Sequence, residues 1–202
     1  MSHDREFLFT RKDFDFLSKT INERTGIVVS EDKFNMFYSR LSRRVRALKL
    51  ASFREYCDVV RKDVDGAETN ELINAITTNL TAFFRENHHF EYLSNTVIPQ
   101  LQLKNTDRKI KIWSAGCSTG EEPYTIVMMM LDYLHGHTAG WNIEIIANDI
   151  SEEVLQKARR AEYSGLTLRN VRSDFLARYF TKAEDMYCVN PQVKALVKFS
   201  HL

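Results

Sequence analysis

The most chemically informative residues of this 202-residue chain lie at positions 112–124, which read Ile-Trp-Ser-Ala-Gly-Cys-Ser-Thr-Gly-Glu-Glu-Pro-Tyr. An apolar segment that ends near Trp113 runs into a turn of small residues containing Gly116 and Gly120. Glycine has no side chain, so such a turn lets the backbone approach a ligand closely. The Glu-Glu-Pro that follows is typical of a helix start, because proline is favoured in the first turn and acids near the positive end of the helix dipole. This order of strand, turn and helix predicts a nucleotide-binding turn.

The two acids at this helix start, Glu121 and Glu122, narrow the choice of ligand. Dinucleotide-binding proteins use the spacing G-x-G-x-x-G to seat a pyrophosphate on an unobstructed helix N-terminus. That spacing is missing here, and two carboxylates would repel a phosphate, so an NAD-type oxidoreductase is a poor interpretation. They suit a ligand that is cationic or rich in amino and hydroxyl groups. S-adenosylmethionine, which carries a sulfonium and an α-amino group, is the common cofactor of this kind and is the predicted ligand.

A second apolar segment, residues 143–150, contains Asp149 near its end and is followed by Ser151. This pattern predicts a strand, a ligand loop and a helix. An acid at the carboxyl end of a second parallel strand is placed to accept hydrogen bonds from ribose hydroxyls. The alternative is that Asp149 only caps the helix that follows.

The residues before this site predict a small helical domain. Residues 7–92 contain glycine only at positions 26 and 66 and have no proline, and their apolar residues recur at helical spacing. Such amphipathic segments pack against one another to form a helical bundle. The apolar faces comprise Phe14, Leu17 and Ile21 in one segment, and Phe34, Phe37, Tyr38, Leu41, Val45 and Leu48 in the next.

Four segments of the sequence together resemble the chemotaxis protein methyltransferases, the CheR family. They are TTNLTAFFRE at residues 77–86, HHF at 88–90, WSAGCSTGEEPY at 113–124 and NDI at 148–150. The resemblance runs from about Phe14 to the end of the chain, and its first and third segments are the most specific.

This resemblance implies an N-terminal all-α helical domain at residues 1–92, followed by an α/β Rossmann-like methyltransferase domain at 93–202. The family inserts a small antiparallel β-subdomain in the second domain, and we expect it near residues 172–202, with strands at 186–189 and 193–199. Some family members grip a tethered receptor peptide with this subdomain. The connection at Asn190 and Pro191 is short, so we expect no such peptide binding here.

The activity implied by the resemblance is methyl transfer from S-adenosylmethionine to the γ-carboxylate of glutamates on the cytoplasmic helices of chemoreceptors. A glutamate, with a pKa of about 4.3, is already anionic at neutral pH and needs no general base. Catalysis then comes mainly from proximity and alignment. This agrees with a chain that shows no obvious Ser-His-Asp or Cys-His pattern.

Carried over residue by residue, the family's cofactor contacts are Asn79, Thr81, Arg85, Glu122 and Asp149. Arg85 is also the implied catalytic residue, since its guanidinium would grip the cofactor carboxylate or orient that of the substrate. The alternatives are that the polar residues at 77–79 cap a helix or form a turn, and that Arg85 and Glu86 form a solvated pair.

Positive charge is concentrated on the second helical segment, at Arg40, Arg43, Arg44 and Arg46. A basic helix face binds nucleic acid, anionic lipid or an acidic protein. The resemblance favours the glutamate-rich helices of chemoreceptors, so these four arginines are the predicted substrate-binding residues. The alternative is a solvated face paired with neighbouring acids, which contributes little to stability.

The composition sets broad limits. Lys and Arg number 28 and Asp and Glu 27, so the net charge of +1 argues against a dedicated nucleic-acid binder. No apolar run is long enough to span a membrane and no signal peptide opens the chain, so we expect neither membrane insertion nor secretion. Three dispersed cysteines indicate reduced thiols in a cytoplasmic protein, and the histidines lack the spacing of a metal site.

The predicted methyltransferase sheet is incomplete, because only two parallel strands, near Ile112 and Ile145, are predicted before residue 202. Doubly wound sheets need several strands. Three hypotheses remain: a fragment of a longer protein, which we favour; self-association that completes the sheet in trans; or a non-catalytic module that docks on receptors or senses S-adenosylmethionine.

Overall fold

The computed structural model of the chain describes residues 5–77, 80–134 and 140–202. The chain forms two compact units, Met1–Thr78 and Asn79–Leu202. This division lies earlier than the expected boundary at residue 92. The physical reason is that three aromatic residues of the intervening segment, Phe83, Phe84 and Phe90, are buried in the core of the second unit.

The first unit is helical, as expected. Its described helices are α1 (Arg11–Thr25), α2 (Phe34–Ala47), α3 (Phe53–Arg61) and α4 (Ala67–Ile76), with a short 3-10 turn at Glu31–Lys33. Helix α1 starts with a capping box in which Thr10 and Asp13 bond reciprocally, and it ends at Gly26 in the left-handed conformation. The predicted apolar faces are buried at Phe14, Leu17 and Ile21 on α1 and at Phe37, Leu41 and Val45 on α2.

The second unit begins with α5 (Asn87–Tyr92), a π-helical turn at Leu93–Val97 and α6 (Ile98–Lys104). The alternating part of the chain then follows: β1 (Lys109–Ala115), α7 (Glu121–Tyr133), β2 (Asn142–Asp149) and α8 (Glu152–Arg160). The remaining elements are β3 (Glu162–Ser164), α9 (Ser173–Tyr179), β4 (Phe180–Ala183), β5 (Met186–Val189), α10 (Pro191–Lys194) and β6 (Val197–His201).

Two three-stranded sheets organise this unit. The first is parallel with the order β1-β2-β6, and Asp149 at the end of β2 lies opposite His201 of β6. The second is antiparallel with the order β3-β5-β4. A helical domain followed by an α/β domain with a small antiparallel sheet is therefore confirmed.

Two details of the prediction were wrong. The strand expected at residues 193–199 is instead the helix α10 followed by β6, which joins the parallel sheet as its third strand. The antiparallel sheet accordingly spans residues 162–189 rather than 172–202, and its hairpin turn lies at Glu184 and Asp185, not at Asn190 and Pro191. The local pattern of a short strand does not say which sheet edge it joins, because several edges offer the same backbone hydrogen bonds.

Candidate cofactor site

The turn between β1 and α7 is bound to the end of β2. The backbone N–H groups of Gly116 and Cys117 both donate to the carbonyl oxygen of Asn148, at 2.9 Å each. Parallel strands present their carboxyl ends at one edge of the sheet, where ligands of open α/β sheets bind. The turn and the loop after β2 therefore form one continuous surface.

The two glycines of this turn have different roles. Gly116 has a φ of +73°, and a Cβ atom at this position would meet no heavy atom within 4 Å, so the turn is open on this side. Gly120 has a φ of +95°, and its Cβ would lie 3.0 Å from both the Cβ of Ala158 and the hydroxyl of Tyr163. Gly116 leaves room for a ligand, whereas Gly120 permits close packing beneath the turn.

Asp149 joins the turn to the loop after β2. Its side chain is only 7% exposed. One carboxylate oxygen accepts a hydrogen bond from the N–H of Ser118 at 2.8 Å, and the other accepts from the N–H of Ser151 at 3.0 Å. The side chain that caps α8 is that of Ser151, which accepts from the N–H of Val154. Each oxygen of Asp149 has a second lone pair, so the carboxylate can accept further hydrogen bonds from a ligand.

The two acids at the start of α7, Glu121 and Glu122, lie in different environments. Glu121 is 2% exposed and accepts a hydrogen bond from the Thr119 hydroxyl at 2.6 Å. Burial raises its pKa, and the bond from Thr119 offsets part of that rise. Glu122 is exposed and accepts from the hydroxyl of Ser114 at 2.6 Å. Only Glu122 presents its carboxylate to solvent, where a cofactor could reach it.

The segment 80–86, which carries two of the predicted site residues, packs against α7. Phe83 and Phe84 are buried in the core, and the N–H of Phe84 donates to the Thr125 hydroxyl at 3.4 Å. That hydroxyl donates in turn to the carbonyl oxygen of Glu121 at 2.6 Å. The segment is thereby joined to the first turn of the helix that follows the glycine turn.

Two residues of this segment have a positive φ, Phe84 at 56° and Glu86 at 54°. Residues other than glycine rarely adopt a positive φ, and backbone strain of this kind is concentrated at functional sites. Arg85 lies between them with its side chain exposed and donates to the carbonyl oxygen of Leu80 at 2.7 Å. Within the described part of the chain, Arg85 and Glu86 form no ion pair. Thr81 is half-buried, and Asn79 lies outside the described residues.

The cysteine of the glycine turn, Cys117, is not a nucleophile at neutral pH. Burial raises the pKa of the Cys117 thiol to about 12, and the charge of Asp149 adds to this rise. The thiol is therefore protonated at neutral pH, and a thiol is a poor nucleophile in that form. Within residues 5–77, 80–134 and 140–202, no cluster of three His, Cys, Asp or Glu side chains could hold a metal ion.

Several residues of the site were not predicted from sequence. Ser114 holds Glu122, Thr119 holds Glu121, and the hydroxyl of Tyr163 donates to the carbonyl oxygen of Thr119 at 2.7 Å. Ser114 and Thr119 lie inside the motif at residues 113–124, so their closeness in sequence to Glu121 and Glu122 could have indicated these hydrogen bonds. Tyr163 lies on β3, far away in sequence, and no local pattern marks it.

The donor and acceptor groups of this surface fit S-adenosylmethionine. Ribose hydroxyls need a hydrogen-bond acceptor, and the carboxylate of Asp149 is an acceptor at this surface. Positively charged groups of a ligand suit the exposed carboxylate of Glu122. The open side of Gly116 supplies room for close backbone approach. A phosphate would meet these two carboxylates instead of free helix N–H groups, which is unfavourable.

Comparison with known families agrees with this geometry. Residues 79–202 match the family model described as CheR methyltransferase, SAM binding domain, and residues 12–77 match CheR methyltransferase, all-alpha domain. This chain belongs to the CheR methyltransferase family. S-adenosylmethionine is therefore confirmed as the cofactor, and the enzyme class is that of the methyltransferases. The two matched regions also meet where the two compact units of this CheR chain divide.

The relatives of this CheR chain carry names of the same kind. It is 37% identical over 182 residues to a probable chemotaxis protein methyltransferase of Rhizobium etli, and the aligned region covers 88% of this chain and 68% of the relative. It is 40% identical over 179 residues to chemotaxis protein methyltransferase 2 of Pseudomonas aeruginosa, spanning 89% and 61%. It is 37% identical over 190 residues to the chemotaxis protein methyltransferase of Escherichia coli, spanning 92% and 64%. The chain thus covers about two thirds of the length of these proteins.

The predicted substrate-binding arginines lie on α2 in the first unit, and most of them have contacts within that unit. Arg44 forms two hydrogen bonds with Glu68, at 2.8 and 2.6 Å, and lies 3.5 Å from Glu71. Arg46 pairs with Glu6. Arg40 donates to the carbonyl oxygens of Ile76 and Thr77 at the end of α4.

Arg43 differs from the other three, because it is exposed and has no ion-pair partner among the residues that the structure describes. It borders a cavity of about 480 Å³ between α2 and α4. Arg40 and Arg44 also line this cavity, together with the polar side chains of Glu71 and Asn74. Three of the four predicted arginines thus line one cavity, and Arg43 is the exposed one among these three.

No helix in the described part of the chain is long and apolar enough to cross a membrane.

Proposed function

We propose that this chain transfers the methyl group of S-adenosylmethionine to the γ-carboxylate of glutamates on the cytoplasmic helices of chemoreceptors, forming glutamate methyl esters. Membership of the CheR family supports the methyl transfer. The names of the relatives, which are chemotaxis protein methyltransferases, support a role in chemotaxis. The glutamate target rests on the resemblance of the sequence motifs and on the chemistry of the site.

The cofactor contacts that we propose are Asn79, Thr81, Arg85, Glu122 and Asp149. Asp149 accepts hydrogen bonds from the ribose hydroxyls, and Glu122 faces the positively charged groups of the cofactor. Arg85 would exchange its bond to the Leu80 carbonyl for one to a carboxylate, either that of the cofactor or that of the substrate. A guanidinium bonds a carboxylate more strongly than a neutral carbonyl, so this exchange is favourable.

The reaction needs no protein base or nucleophile. Bound S-adenosylmethionine supplies an electrophilic methyl group, and a glutamate with a pKa of about 4.3 is an anion at neutral pH. The site agrees with this, since Cys117 is protonated and the buried Glu121 faces inward. The contribution of the protein is to hold the two reactants in line, an effect that can reach about 7–11 kcal/mol.

Substrate recognition is proposed for the basic face of α2. Receptor helices rich in glutamate carry negative charge at helical spacing, and Arg43 at the edge of the cavity provides an exposed positive charge. Arg44 and Arg46 are already paired with acids of the same unit, which neutralise their charge locally. We therefore propose Arg43 as the main contact, and Arg40, Arg44 and Arg46 as secondary contacts.

The geometry of Asp149 carries the cofactor part of this proposal. Titration of S-adenosylhomocysteine by calorimetry tests it, with Asp149→Asn as the variant and Glu144→Gln as the matched control. Both variants remove one negative charge from β2, but Glu144 bonds Lys111 and Lys198 on the sheet and not the turn. We expect Asp149→Asn to weaken binding roughly 10-fold to 100-fold, as for a lost hydrogen bond to a charged group, and Glu144→Gln to leave it unchanged. Equal affinity of the two variants would contradict the assignment of Asp149.

Transfer itself is tested with tritiated S-adenosylmethionine and receptor cytoplasmic fragments. Label that is released as methanol by mild base indicates methyl esters, and Arg85→Ala is expected to lose most of it. Binding of S-adenosylhomocysteine without any transfer would instead favour the alternative of a docking or cofactor-sensing module.

A further inference from the structure

Tyr163 belongs to the small antiparallel sheet, but it contacts both the glycine turn and the segment 80–86 of the proposed cofactor site. Its hydroxyl donates to the carbonyl oxygen of Thr119 in the glycine turn at 2.7 Å. Its ring packs edge-on against Phe83 of the segment 80–86, with 4.8 Å between the ring centroids and 85° between the planes. The residue thus lies where the glycine turn, the segment with Arg85 and β3 meet.

The hydroxyl is well placed to hold the turn. Tyr163 is 4% exposed, and burial raises its pKa well above 10, with the charge of Glu121 adding to the rise. The group is therefore a hydrogen-bond donor at every physiological pH. Its partner Thr119 in turn donates its own hydroxyl to Glu121 at the start of α7. A movement of the Thr119 carbonyl would disturb both the turn and the first residue of the helix.

The close fit at Gly120 supports the same role. A Cβ atom at Gly120 would lie 3.0 Å from the Tyr163 hydroxyl, so this hydroxyl is in direct contact with the turn. The ring of Phe83 also packs edge-on against Phe180 of β4, with 5.3 Å between the ring centroids. The antiparallel sheet is therefore in contact with both parts of the site.

We propose that Tyr163 is a positioning residue for cofactor binding. Its hydroxyl fixes the Thr119 carbonyl and its ring fixes Phe83, so that the glycine turn and the segment 80–86 keep one arrangement before the cofactor arrives. A preorganised site binds more tightly because less ordering is needed on binding. The inference rests on the proposed function, since it assumes that the cofactor binds at this turn.

Tyr124 offers a matched control. Its hydroxyl is also buried and also donates to a backbone carbonyl oxygen, that of Ala158 in α8, at 2.9 Å. It is 1% exposed. Tyr163→Phe and Tyr124→Phe therefore each remove one buried hydroxyl and one bond of the same kind, but only the Tyr163 bond is made directly to a residue of the glycine turn. A general loss of stability should affect both variants alike.

The experiment compares three measurements on the full chain: thermal unfolding, calorimetric titration of S-adenosylhomocysteine, and amide hydrogen exchange. We expect similar decreases of Tm in the two variants. Affinity should fall roughly fivefold to tenfold in Tyr163→Phe only, the size of one lost hydrogen bond. The backbone amides of residues 117–120 should exchange hydrogen faster in Tyr163→Phe than in the unaltered chain, and at the unaltered rate in Tyr124→Phe.

Three results would overturn the inference. Equal affinity of Tyr163→Phe and Tyr124→Phe for S-adenosylhomocysteine would show that the hydroxyl does not position the site. Weaker affinity with unchanged exchange at residues 117–120 would show that the effect does not pass through the turn. In both cases binding by the unaltered chain would leave the cofactor assignment standing. Absence of binding by the unaltered chain would reject the cofactor assignment and this inference together.

Discussion

Glu121 and Glu122 are neighbours of the same residue type, yet the fold gives them different tasks. Glu121 is buried and bonded to Thr119, whereas Glu122 is exposed and bonded to Ser114. Successive residues on a helix are about 100° apart, so one can face the core while the next faces solvent. We assign Glu121 to the structure of the turn and propose Glu122 as the residue that meets the cofactor.

The raised pKa of Glu121 predicts a pH-dependent effect of Glu121→Gln. As the pH rises from 4 to 7, the unfolded chain releases this proton before the folded chain does, so the free energy of unfolding falls. Glutamine does not titrate and its amide oxygen still accepts the bond from Thr119. We expect Glu121→Gln to be more stable than the unaltered chain at pH 7, by about 1.4 kcal/mol for each unit of pKa rise, with a smaller difference at pH 4.

Thermal unfolding at both pH values measures this effect, and the exposed Glu122→Gln is its control. A stability difference for Glu121→Gln that is the same at pH 4 and pH 7 would show that Glu121 does not titrate differently in the folded state.

The three cysteines should differ in reactivity. Burial raises the pKa of Cys57 and of Cys117 to about 12 each, whereas Cys188 on β5 is partly exposed. Alkylation requires an accessible thiolate. We expect iodoacetamide at pH 8 to label Cys188 in the native protein within minutes, and the other two only after unfolding. Mass spectrometry of tryptic peptides gives the result, and fast labelling of Cys117 would contradict the protonated, buried state described above.

At the scale of elements, the basic face of α2 consists of arginines in different environments. Arg44 lies in a network with Glu68 and Glu71, and Glu68 is itself buried. Bonds to Glu68, and then the charges of Glu68 and Glu71, raise the pKa of Arg44 although partial burial opposes this. The charge of Arg44 thus stabilises the packing of α2 on α4, whereas the side chain of Arg43 is exposed to solvent.

This difference predicts separate outcomes for two charge reversals. Arg43→Glu should leave Tm within about 2 °C, because surface changes away from specific contacts cost little. It should nevertheless weaken binding to a receptor cytoplasmic fragment at least several-fold. Arg44→Glu should lower the stability by about 3–5 kcal/mol, because it leaves the buried Glu68 without its partner and adds a like charge. Thermal unfolding and a pull-down of the receptor fragment measure the two effects.

The exposed Lys12→Glu on α1 controls for net charge, since it changes the charge of the chain by the same amount away from α2. If Arg43→Glu bound the receptor fragment as well as Lys12→Glu does, docking on the basic face of α2 would have to be abandoned.

At the scale of the whole molecule, two units each have a buried core of their own. In the helical unit the buried ring of Phe9 contacts the buried rings of Phe14 and Phe53 and the half-buried ring of Phe34. The second unit has a parallel sheet with one face on α7 and α8. The opposite face carries Trp113, which is 64% exposed, and Glu144 of β2, which pairs with Lys111 and Lys198 on the two neighbouring strands.

Two units with their own cores predict two unfolding transitions. Since the proposed cofactor site lies in the second unit, S-adenosylhomocysteine should raise the temperature of one transition and leave the other unchanged. Saturation at about 100 times Kd stabilises the binding unit by about 2.7 kcal/mol. Differential scanning calorimetry with and without the ligand measures this, and Leu41→Ala in the helical core identifies the transition of the first unit. Equal shifts of both transitions would contradict the assignment of the site to the second unit.

Much of the molecule was predictable from sequence because the signals are local. The helical spacing of Phe14, Leu17 and Ile21 gives the buried face of α1, since the period of a helix is a property of the segment itself. The strand, glycine turn and acidic helix start at residues 110–124 likewise indicate both the local structure and the type of ligand. The acid at the end of the second strand is placed as expected, because carboxyl ends of parallel strands share one edge of the sheet.

The sequence alone determined the family, the order of helical and α/β units, the cofactor and the turn that is proposed to bind it, because these depend on residue types at short spacings. Only the tertiary structure decided that β6 joins the parallel sheet and that Glu121 is buried while Glu122 is exposed. It also decided that Arg44 is paired, whereas Arg43 has no ion-pair partner among the described residues. It also brought Tyr163 to Thr119. Each of these depends on contacts between residues distant in sequence, and the free energy of such contacts is set by burial and by available partners, which no local pattern records.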